Sequence, residues 1–287
     1  MHALETYSSF KLKFMQKLTN LYNKREQELL FFLALDYLKN WSKVEYTLYK
    51  NEEMDLVNLE KFNKIIFALK EGKPIQYILG KTHFYGLEIM VNQYTLIPRP
   101  ETEELVSLAK AQIPQNNQIN VLDIGTGSGC IILALKSVLK NISAFALDYS
   151  RKAIEMAEKN ADNLNLEVNF LHDNILDPKL TYPKFDCIIS NPPYIPKGES
   201  IKMSEQVINY EPRMALFVND NNALVFYISI LAFADKNLTN KGKIFFEIHE
   251  NFGNQVLNLM ENKSYKNIQM ISDLQGKKRF IIAEKFE

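Results

Sequence analysis

Phe185-Asp186-Cys187-Ile188-Ile189-Ser190 reads as a buried strand, and it stops abruptly at Asn191-Pro192-Pro193-Tyr194. Two consecutive prolines fix φ and remove main-chain donors, so the acceptors around them are rigidly aimed. An amide or aromatic amine nitrogen is planar and a poor nucleophile, because its lone pair is delocalised. The side-chain carbonyl of Asn191 and the main-chain carbonyl of Pro192 can accept its two N–H hydrogens. Holding both directs the lone pair at an electrophilic methyl group. Tyr194 adds an aromatic face for a planar substrate group or a cation. The same four residues also make an ordinary strand-ending turn, so their meaning depends on what stands upstream.

Upstream, Val121-Leu122-Asp123-Ile124-Gly125-Thr126-Gly127-Ser128-Gly129 runs from a buried strand into a helix. Alternate glycines remove Cβ atoms where a ligand must approach the backbone, and the helix N-terminus beyond offers unpaired N–H groups. The spacing is GxGxG, not the dinucleotide GxGxxG, and no Lys-Ser/Thr pair follows as a phosphate-binding P-loop requires. Asp148 ends the next strand, roughly twenty residues on, where a carboxylate can accept both hydroxyls of a ribose. Asp123 orients the loop or meets a ligand ammonium group through water. After the third strand, Asp173 and Asn174 offer a carboxylate and an amide to an adenine edge, or simply cap a polar loop.

These loops need a scaffold that brings strand ends together. From Asn120 onward strand-like and helix-like segments alternate. The pattern predicts strands at Asn120–Ile124, Ile142–Leu147, Glu167–Leu171, Phe185–Ser190, Lys243–Ile248, Ile268–Ser272 and Arg279–Ala283. It predicts helices at Cys130–Leu139, Arg151–Asn163 and Ala223–Asp235. Such alternation means βαβ crossovers and a mostly parallel sheet. Asp273 to Lys278 is too short for a parallel crossover, so the last strand is expected to be antiparallel. The expected class is α/β: a Rossmann-like, seven-stranded class I methyltransferase domain over 101–287. Ahead of it, Leu4, Tyr7, Phe10, Phe14, Leu18 and Leu21 recur at helical spacing, as do the block Leu29 to Leu38 and the set Leu56, Leu59, Phe62, Ile65 and Leu69. They predict a helical bundle over 1–80. The stretch PIQYILGKTHFYGLEIMVNQYTLIPRP predicts a β-hairpin around Gly86 and a proline-punctuated loop, a connector over 81–100.

Composition excludes other classes. The 287 residues are 46% hydrophobic and 24% charged, with 34 Lys+Arg against 34 Asp+Glu, so the chain is expected to fold and has no global pull toward nucleic acid. Cys130 and Cys187 lie in apolar stretches and read as buried reduced thiols. His2, His83, His172 and His249 are scattered without metal-ligand spacing, so no metal is expected. The N-terminal stretch has no signal-peptide core, and the apolar run from Ala223 to Ala234 falls short of the ~20 residues needed to span a bilayer. A cytoplasmic protein without membrane association is expected.

With these residues in place the chain resembles the HemK (PrmC) family of protein-(glutamine-N5) methyltransferases, which modify class-1 peptide-chain release factors. The resemblance covers essentially the whole length: the helical N-terminal region, Pro74-Ile75-Gln76-Tyr77-Ile78-Leu79-Gly80, Ile97-Pro98-Arg99-Pro100-Glu101-Thr102-Glu103, the glycine loop, NPPY, Glu211-Pro212, and Asp273-Leu274-Gln275-Gly276 with Arg279. NPPY alone is shared with nucleic-acid adenine methyltransferases; IPRPETE with PIQYILG is far more specific. The resemblance implies S-adenosyl-L-methionine as cofactor, held by Gly125, Thr126, Gly127, Ser128, Gly129, Asp148, Asp173 and Asn174, with Asn191 beside it. It implies that the substrate glutamine meets Asn191, Pro192, Pro193 and Tyr194, of which Asn191, Pro192 and Tyr194 are catalytic. Arg99 and Thr102, in the PRPETE loop, are implied to border the same pocket.

One departure is visible. After Glu211-Pro212-Arg213-Met214-Ala215-Leu216 the family usually has a glycine pair and an Asp-Gly, where this chain reads Phe217-Val218-Asn219-Asp220-Asn221-Asn222. Three alternatives stay open. A sister enzyme acting on a glutamine of a large-subunit ribosomal protein would share all but the loop before the methyltransferase domain, and IPRPETE favours the release-factor branch. A nucleic-acid adenine-N6 methyltransferase should carry a basic face. A non-catalytic interaction protein would need a decayed glycine loop or tetrapeptide, and both are intact.

Overall fold

Short polar residues start the N-terminal helices. Thr6, Asn23 and Ser42 each accept main-chain N–H groups of the following turn and receive a side-chain contact back from Ser9, Glu26 or Glu45. Asp55 accepts from the Asn58 N–H at 2.7 Å. The resulting helices are α1 (Tyr7–Leu18), α2 (Lys24–Lys39), α3 (Lys43–Tyr49), α4 (Leu56–Lys70) and α5 (Ile75–Leu79). The computed structural model describes residues 5–114, 117–263 and 265–286; Leu4 and His2 lie outside the described residues. Intrachain contacts divide the chain into two units, one running to Gly80 and taking in Glu205–Tyr210, the other comprising Lys81–Ser204 and Glu211 onward.

The first unit is built on aromatic rings. Phe10, Phe14, Phe31 and Phe62 are fully buried, Phe31 stacks on Phe62 with centroids 5.9 Å apart, and Phe14 meets Phe31 edge-on at 5.5 Å. The ends of the expected stripes fall outside this core. Leu21 lies past the end of α1 and is 55% exposed, and Leu56, the first residue of α4, is 82% exposed. The expected hairpin segment is also partly helical: Ile75–Leu79 forms α5, which Gly80 ends at φ 74°.

In the second unit, β1 (Lys81–Phe84) and β2 (Leu87–Met90) pair antiparallel across Tyr85-Gly86, both at positive φ. Next come α6 (Pro100–Gln112), β3 (Ile119–Ile124), α7 (Cys130–Val138), β4 (Ile142–Asp148), α8 (Arg151–Leu164), β5 (Asn169–His172), β6 (Phe185–Ser190) and β7 (Ile195–Pro196). The six residues of α9 (Glu205–Tyr210), grouped with the first unit, precede α10 (Arg213–Leu216), β8 (Phe217–Val218), α11 (Val225–Asn237), β9 (Leu238–Glu247), α12 (Gly253–Glu261), β10 (Tyr265–Ser272) and β11 (Lys278–Lys285).

Seven strands form one sheet in the order β10-β11-β9-β6-β3-β4-β5. From β9 to β5 the pairs are parallel, while β11 runs antiparallel to both β9 and β10, as the short connection requires. The central strands are apolar on both faces because helices cover both, and the buried cysteines Cys130 and Cys187 are free thiols. The divergent segment after Leu216 forms β8, which pairs with β7, and Asp220 accepts from the Gly198 N–H at 2.9 Å. Among the described residues no helix is long and apolar enough to cross a membrane.

Removing the central ring of the first unit is expected to destabilise it strongly. Phe31→Ala should cost about 3–5 kcal/mol. Trp41, the single tryptophan, packs on Tyr7 with centroids 4.8 Å apart, so urea unfolding followed by its fluorescence reads this unit. An unchanged midpoint would show that the ring cluster is not the core.

Candidate active site

The sheet order reverses at β3: the chain goes from β3 outward to β4 and β5, then returns to β6 on the other side. Loops leaving two such neighbouring parallel strands diverge and open a crevice at their carboxyl ends. The glycine loop leaves β3 and the NPPY tetrapeptide leaves β6, with Ile124 and Ser190 side by side in register. The Ser190 hydroxyl donates to the Ile124 carbonyl at 2.7 Å and ties the two exits together. Between them lies a cavity of about 410 Å³ within the second unit, lined by Gly125, Gly127, Asp148, Asn174, Asn191, Pro192 and Pro193 together with apolar side chains.

The glycine loop is held from its outer side. The N–H groups of Gly125 and Thr126 donate to the Leu147 carbonyl at 2.8 and 3.1 Å. Asp148 accepts from the Gly127 N–H at 2.9 Å and from the Ser150 N–H at 2.8 Å, one on each carboxylate oxygen, so it is fixed in place with lone pairs remaining toward the cavity. Gly125 and Gly127 sit at φ +75° and +57°, and a Cβ built on either meets nothing within 4 Å. Both face open space. At Gly129 a Cβ would meet Leu133 and Ala157 at 3.1 Å, so that glycine serves helix packing.

Asp123 lies beneath the loop, fully buried. One of its oxygens accepts from the Thr126 hydroxyl at 2.7 Å, and the other, Oδ1, has no hydrogen-bond partner among the described residues. Burial pushes its carboxyl up to about 7; the Thr126 hydroxyl and the Ile132 N–H oppose this, and the Asp148 charge adds to it. Burial raises Asp148 as well.

At the tetrapeptide, Asn191 Nδ2 donates to Thr102 Oγ1 at 3.2 Å, the Thr102 hydroxyl donates to Glu247 Oε2 at 2.7 Å, and the Tyr194 hydroxyl donates to Glu247 Oε1 at 3.0 Å. Glu247 is the end of β9, and the sequence reading passes over it. Its signal was present: a lone acid inside Ile244-Phe245-Phe246-Glu247-Ile248 sits in an apolar strand and must have partners. Burial and Glu247 push the Tyr194 hydroxyl far above its ordinary range, so Tyr194 acts as a neutral donor.

The remaining expected residues divide. Asn174 lines the cavity, but the Asp173 side chain turns into its own loop, accepting from the N–H groups of Asn174, Lys179 and Leu180 and from the Tyr182 hydroxyl. Arg99 is not on the cavity wall. Its guanidinium pairs with Glu211 at 2.5 Å, while Glu211 also accepts from the Ile97 N–H, so IPRP is fastened to Glu211-Pro212 and Pro212 lines the cavity. Thr102 reaches the site only through Asn191, and Thr126 and Ser128 are buried in the loop behind the wall. Asn160, unremarked in the sequence, donates to the carbonyls of Ser128 and Met90 and accepts from the Met90 N–H, stitching the glycine loop to β2. Asp273-Leu274-Gln275-Gly276 meets the start of α6, where Glu104 and Glu101 accept from Leu274 and Gln275.

A bound S-adenosyl-L-methionine fits what is present: two glycines whose missing Cβ atoms open onto a cavity, a fixed carboxylate at the next strand end, and a buried carboxyl oxygen without a partner beneath the loop.

Asp123 makes stability depend on pH. With its carboxyl raised to about 7 in the folded protein, from about 3.9 in an unfolded chain, the folded state holds a proton that the unfolded state releases. Its contribution is full below about pH 4 and is lost as pH rises through about 7, by up to about 1.4 kcal/mol per pH unit. Asp123→Asn should flatten that part of the slope in urea unfolding between about pH 5 and about pH 8. Identical slopes in the two proteins would show Asp123 to be ionised throughout.

Residues 16–80 match the PrmC N-terminal domain and residues 105–216 the Methyltransferase small domain. The release factor glutamine methyltransferase of Flavobacterium psychrophilum is 40% identical over 95% of this chain and 97% of its own length, and that of Bacteroides thetaiotaomicron 33% over 94% and 97%. A crystal structure of a methyltransferase from Pyrococcus furiosus, 20% identical, shares the fold with a TM-score of 0.53, covering 70% of this chain and 90% of that one. A glycine loop and the Asn191-Pro192-Pro193 of the tetrapeptide on one cavity wall, with Tyr194 turned to Glu247 behind it, together with identity of this extent over nearly the whole length, mean that the chain belongs to the release factor glutamine methyltransferase family.

Proposed function

We propose that this protein transfers a methyl group from S-adenosyl-L-methionine to the side-chain amide nitrogen, N5, of the glutamine in the Gly-Gly-Gln tripeptide of class-1 peptide-chain release factors. The observation that carries this reading is one cavity faced both by the glycine loop with Asp148 and by Asn191, Pro192 and Pro193. The relatives' names supply the substrate, and the class-1 preference and the cytoplasm as the place of reaction belong to the proposal. The ribosomal-protein and nucleic-acid readings draw no support from those names.

Gly125 and Gly127 would let the cofactor approach the backbone, Asp148 would accept its ribose hydroxyls, and Asn174 would offer an amide to its adenine. When bound, the cofactor would supply an electrophilic methyl group, whose transfer to the amide nitrogen would leave the carbon–sulfur electron pair on sulfur and release one amide proton to water. Asn191 Oδ1 and the Pro192 carbonyl accept the amide N–H groups and hold the nitrogen in line, so the work of the site is positioning and polarisation rather than strong base catalysis. Pro193 and Tyr194 shape the slot. The N-terminal unit, without evident catalytic residues, is assigned to docking the protein substrate, whose remote contacts can order the reacting glutamine.

Mass spectrometry of a purified class-1 release factor, incubated with this protein and labelled cofactor, should find one methyl group on the Gly-Gly-Gln glutamine; an unmodified factor would refute the reading. Asp148→Ala should weaken cofactor binding by about 2 kcal/mol in calorimetric titration, since hydrogen bonds to a charged group are worth roughly 1.5–3 kcal/mol each. Unchanged affinity would remove Asp148 from the ribose site. Asn191→Ala should lower turnover on the release factor on the order of 10²–10³-fold with little change in cofactor affinity. Near-normal turnover would make Asn191 a turn residue only.

A further inference from the structure

Glu247 is 2% exposed, and Thr102, in the first turn of α6, is 3% exposed. Such a buried acid needs a reason, and its partners supply one. Both oxygens of the Glu247 carboxyl accept from hydroxyls here, and a threonine hydroxyl has a single proton to give. That proton goes to Glu247 Oε2 at 2.7 Å. Thr102 Oγ1 then has only lone pairs left for Asn191, and the end of the amide that can meet them is Nδ2, found at 3.2 Å. The opposite end of the planar amide, Oδ1, diverges from that bond. Asn191 lines the cavity, so the acceptor is the end left for a ligand there.

We propose that Glu247 is a positioning residue that dictates, through Thr102, which end of the Asn191 amide faces the substrate, and that holds the far end of the tetrapeptide through Tyr194. This rests on the methyl-transfer reading and deepens it. A substrate amide presents N–H groups, so it needs Oδ1; were Asn191 turned over, its NH2 would face the substrate's and neither would find an acceptor. Glu247 is itself held through both its side chain and its main chain. The Tyr194 hydroxyl donates to Oε1 at 3.0 Å, the Tyr227 hydroxyl donates to the Glu247 main-chain carbonyl at 3.0 Å, and β11 brings the Arg279 charge, itself paired with Asp273 at 3.1 Å. Burial pushes the Glu247 carboxyl up from its ordinary value, and the Thr102 and Tyr194 hydrogen bonds with Arg279 oppose this.

Glu247→Gln tests the idea, because glutamine keeps the size while adding a donor. The introduced amide can donate to Thr102, whose proton is then free to bond Asn191 Oδ1 and turn the asparagine amide round. Turnover on the release factor should fall on the order of 10²-fold, with cofactor affinity and melting temperature near wild type. Thr102→Val, which cuts the relay but leaves Glu247, should fall similarly, and Thr102→Ser, which restores the hydroxyl, should recover on the order of tenfold over it. The direct readout needs no turnover: in protein labelled at asparagine nitrogen and threonine methyl groups, the wild type should show a nuclear Overhauser contact between the Asn191 NH2 and the Thr102 methyl that Glu247→Gln loses. If Glu247→Gln keeps wild-type turnover, or the contact persists unchanged in it, the proposal is overturned. If Glu247→Gln fails to fold, Thr102→Val decides by the same criterion of turnover with intact cofactor binding. A wild type that transfers no methyl group would overturn the function proposed above, and the amide contact alone would then decide the role of Glu247.

Discussion

The parallel pairing of β3 with β6 is the constraint from which the site follows. Ile124 and Ser190 are register partners, and the Ser190 hydroxyl bonds the Ile124 carbonyl, so the two loops that leave these strands start a few ångströms apart whatever their own sequences. That proximity is a property of strand order, not of either loop. Both faces of these strands are buried, so a slip between them would break the packing of side chains on each face at once. Register and function are thus fixed by the same buried side chains, Val121, Leu122, Cys187 and Ile188 among them.

Three acids stand at or near the carboxyl ends of β3, β4 and β9, and their surroundings give them different parts. Asp148 is held by two main-chain N–H groups and reaches the cavity. Asp123 is buried with one oxygen unpartnered, so its charge is costly. Glu247 is as deeply buried but is satisfied by two hydroxyls. A carboxyl group in an apolar sheet is tolerated according to how many donors converge on it. The strand ends are where the helices' first turns and the loops can bring those donors.

Much of this could be read from sequence because it is local. The run from Phe185 to Ser190 is a continuous apolar segment stopped by prolines, and it is a strand over those same residues. The glycine loop announces itself by spacing, and the final antiparallel strand by the shortness of Asp273 to Lys278. Non-local pairings were not legible. Arg99 and Glu211 lie 112 residues apart and Thr102 and Glu247 145, and nothing near Arg99 says that its guanidinium is engaged by an acid instead of a substrate. Between Asp173 and Asn174, sequence sees two polar neighbours, whereas the chain turns one inward and leaves the other on the cavity. Ile75–Leu79 has β-branched and aromatic residues, yet Pro74 before it and Gly80 after it bracket one helical turn.

The helix α9 gives the chain an awkward topology. Gln206 donates to the Tyr22 hydroxyl and the Tyr210 hydroxyl donates to the Glu71 carbonyl, so six residues encoded in the middle of the catalytic sequence complete the N-terminal unit. The unit boundary is crossed after Gly80, after Ser204 and again after Tyr210. No single cut leaves α9 in the same piece as the helices it bonds and apart from the sheet. A fragment ending at Gly80 lacks α9, and one beginning at Lys81 carries α9 stripped of its partners. During synthesis the core of the N-terminal helices can close on its own, but the bonds from Gln206 to Tyr22 and from Tyr210 to Glu71 can form only after more than a hundred further residues have been made, so the unit made first is the one trimmed last.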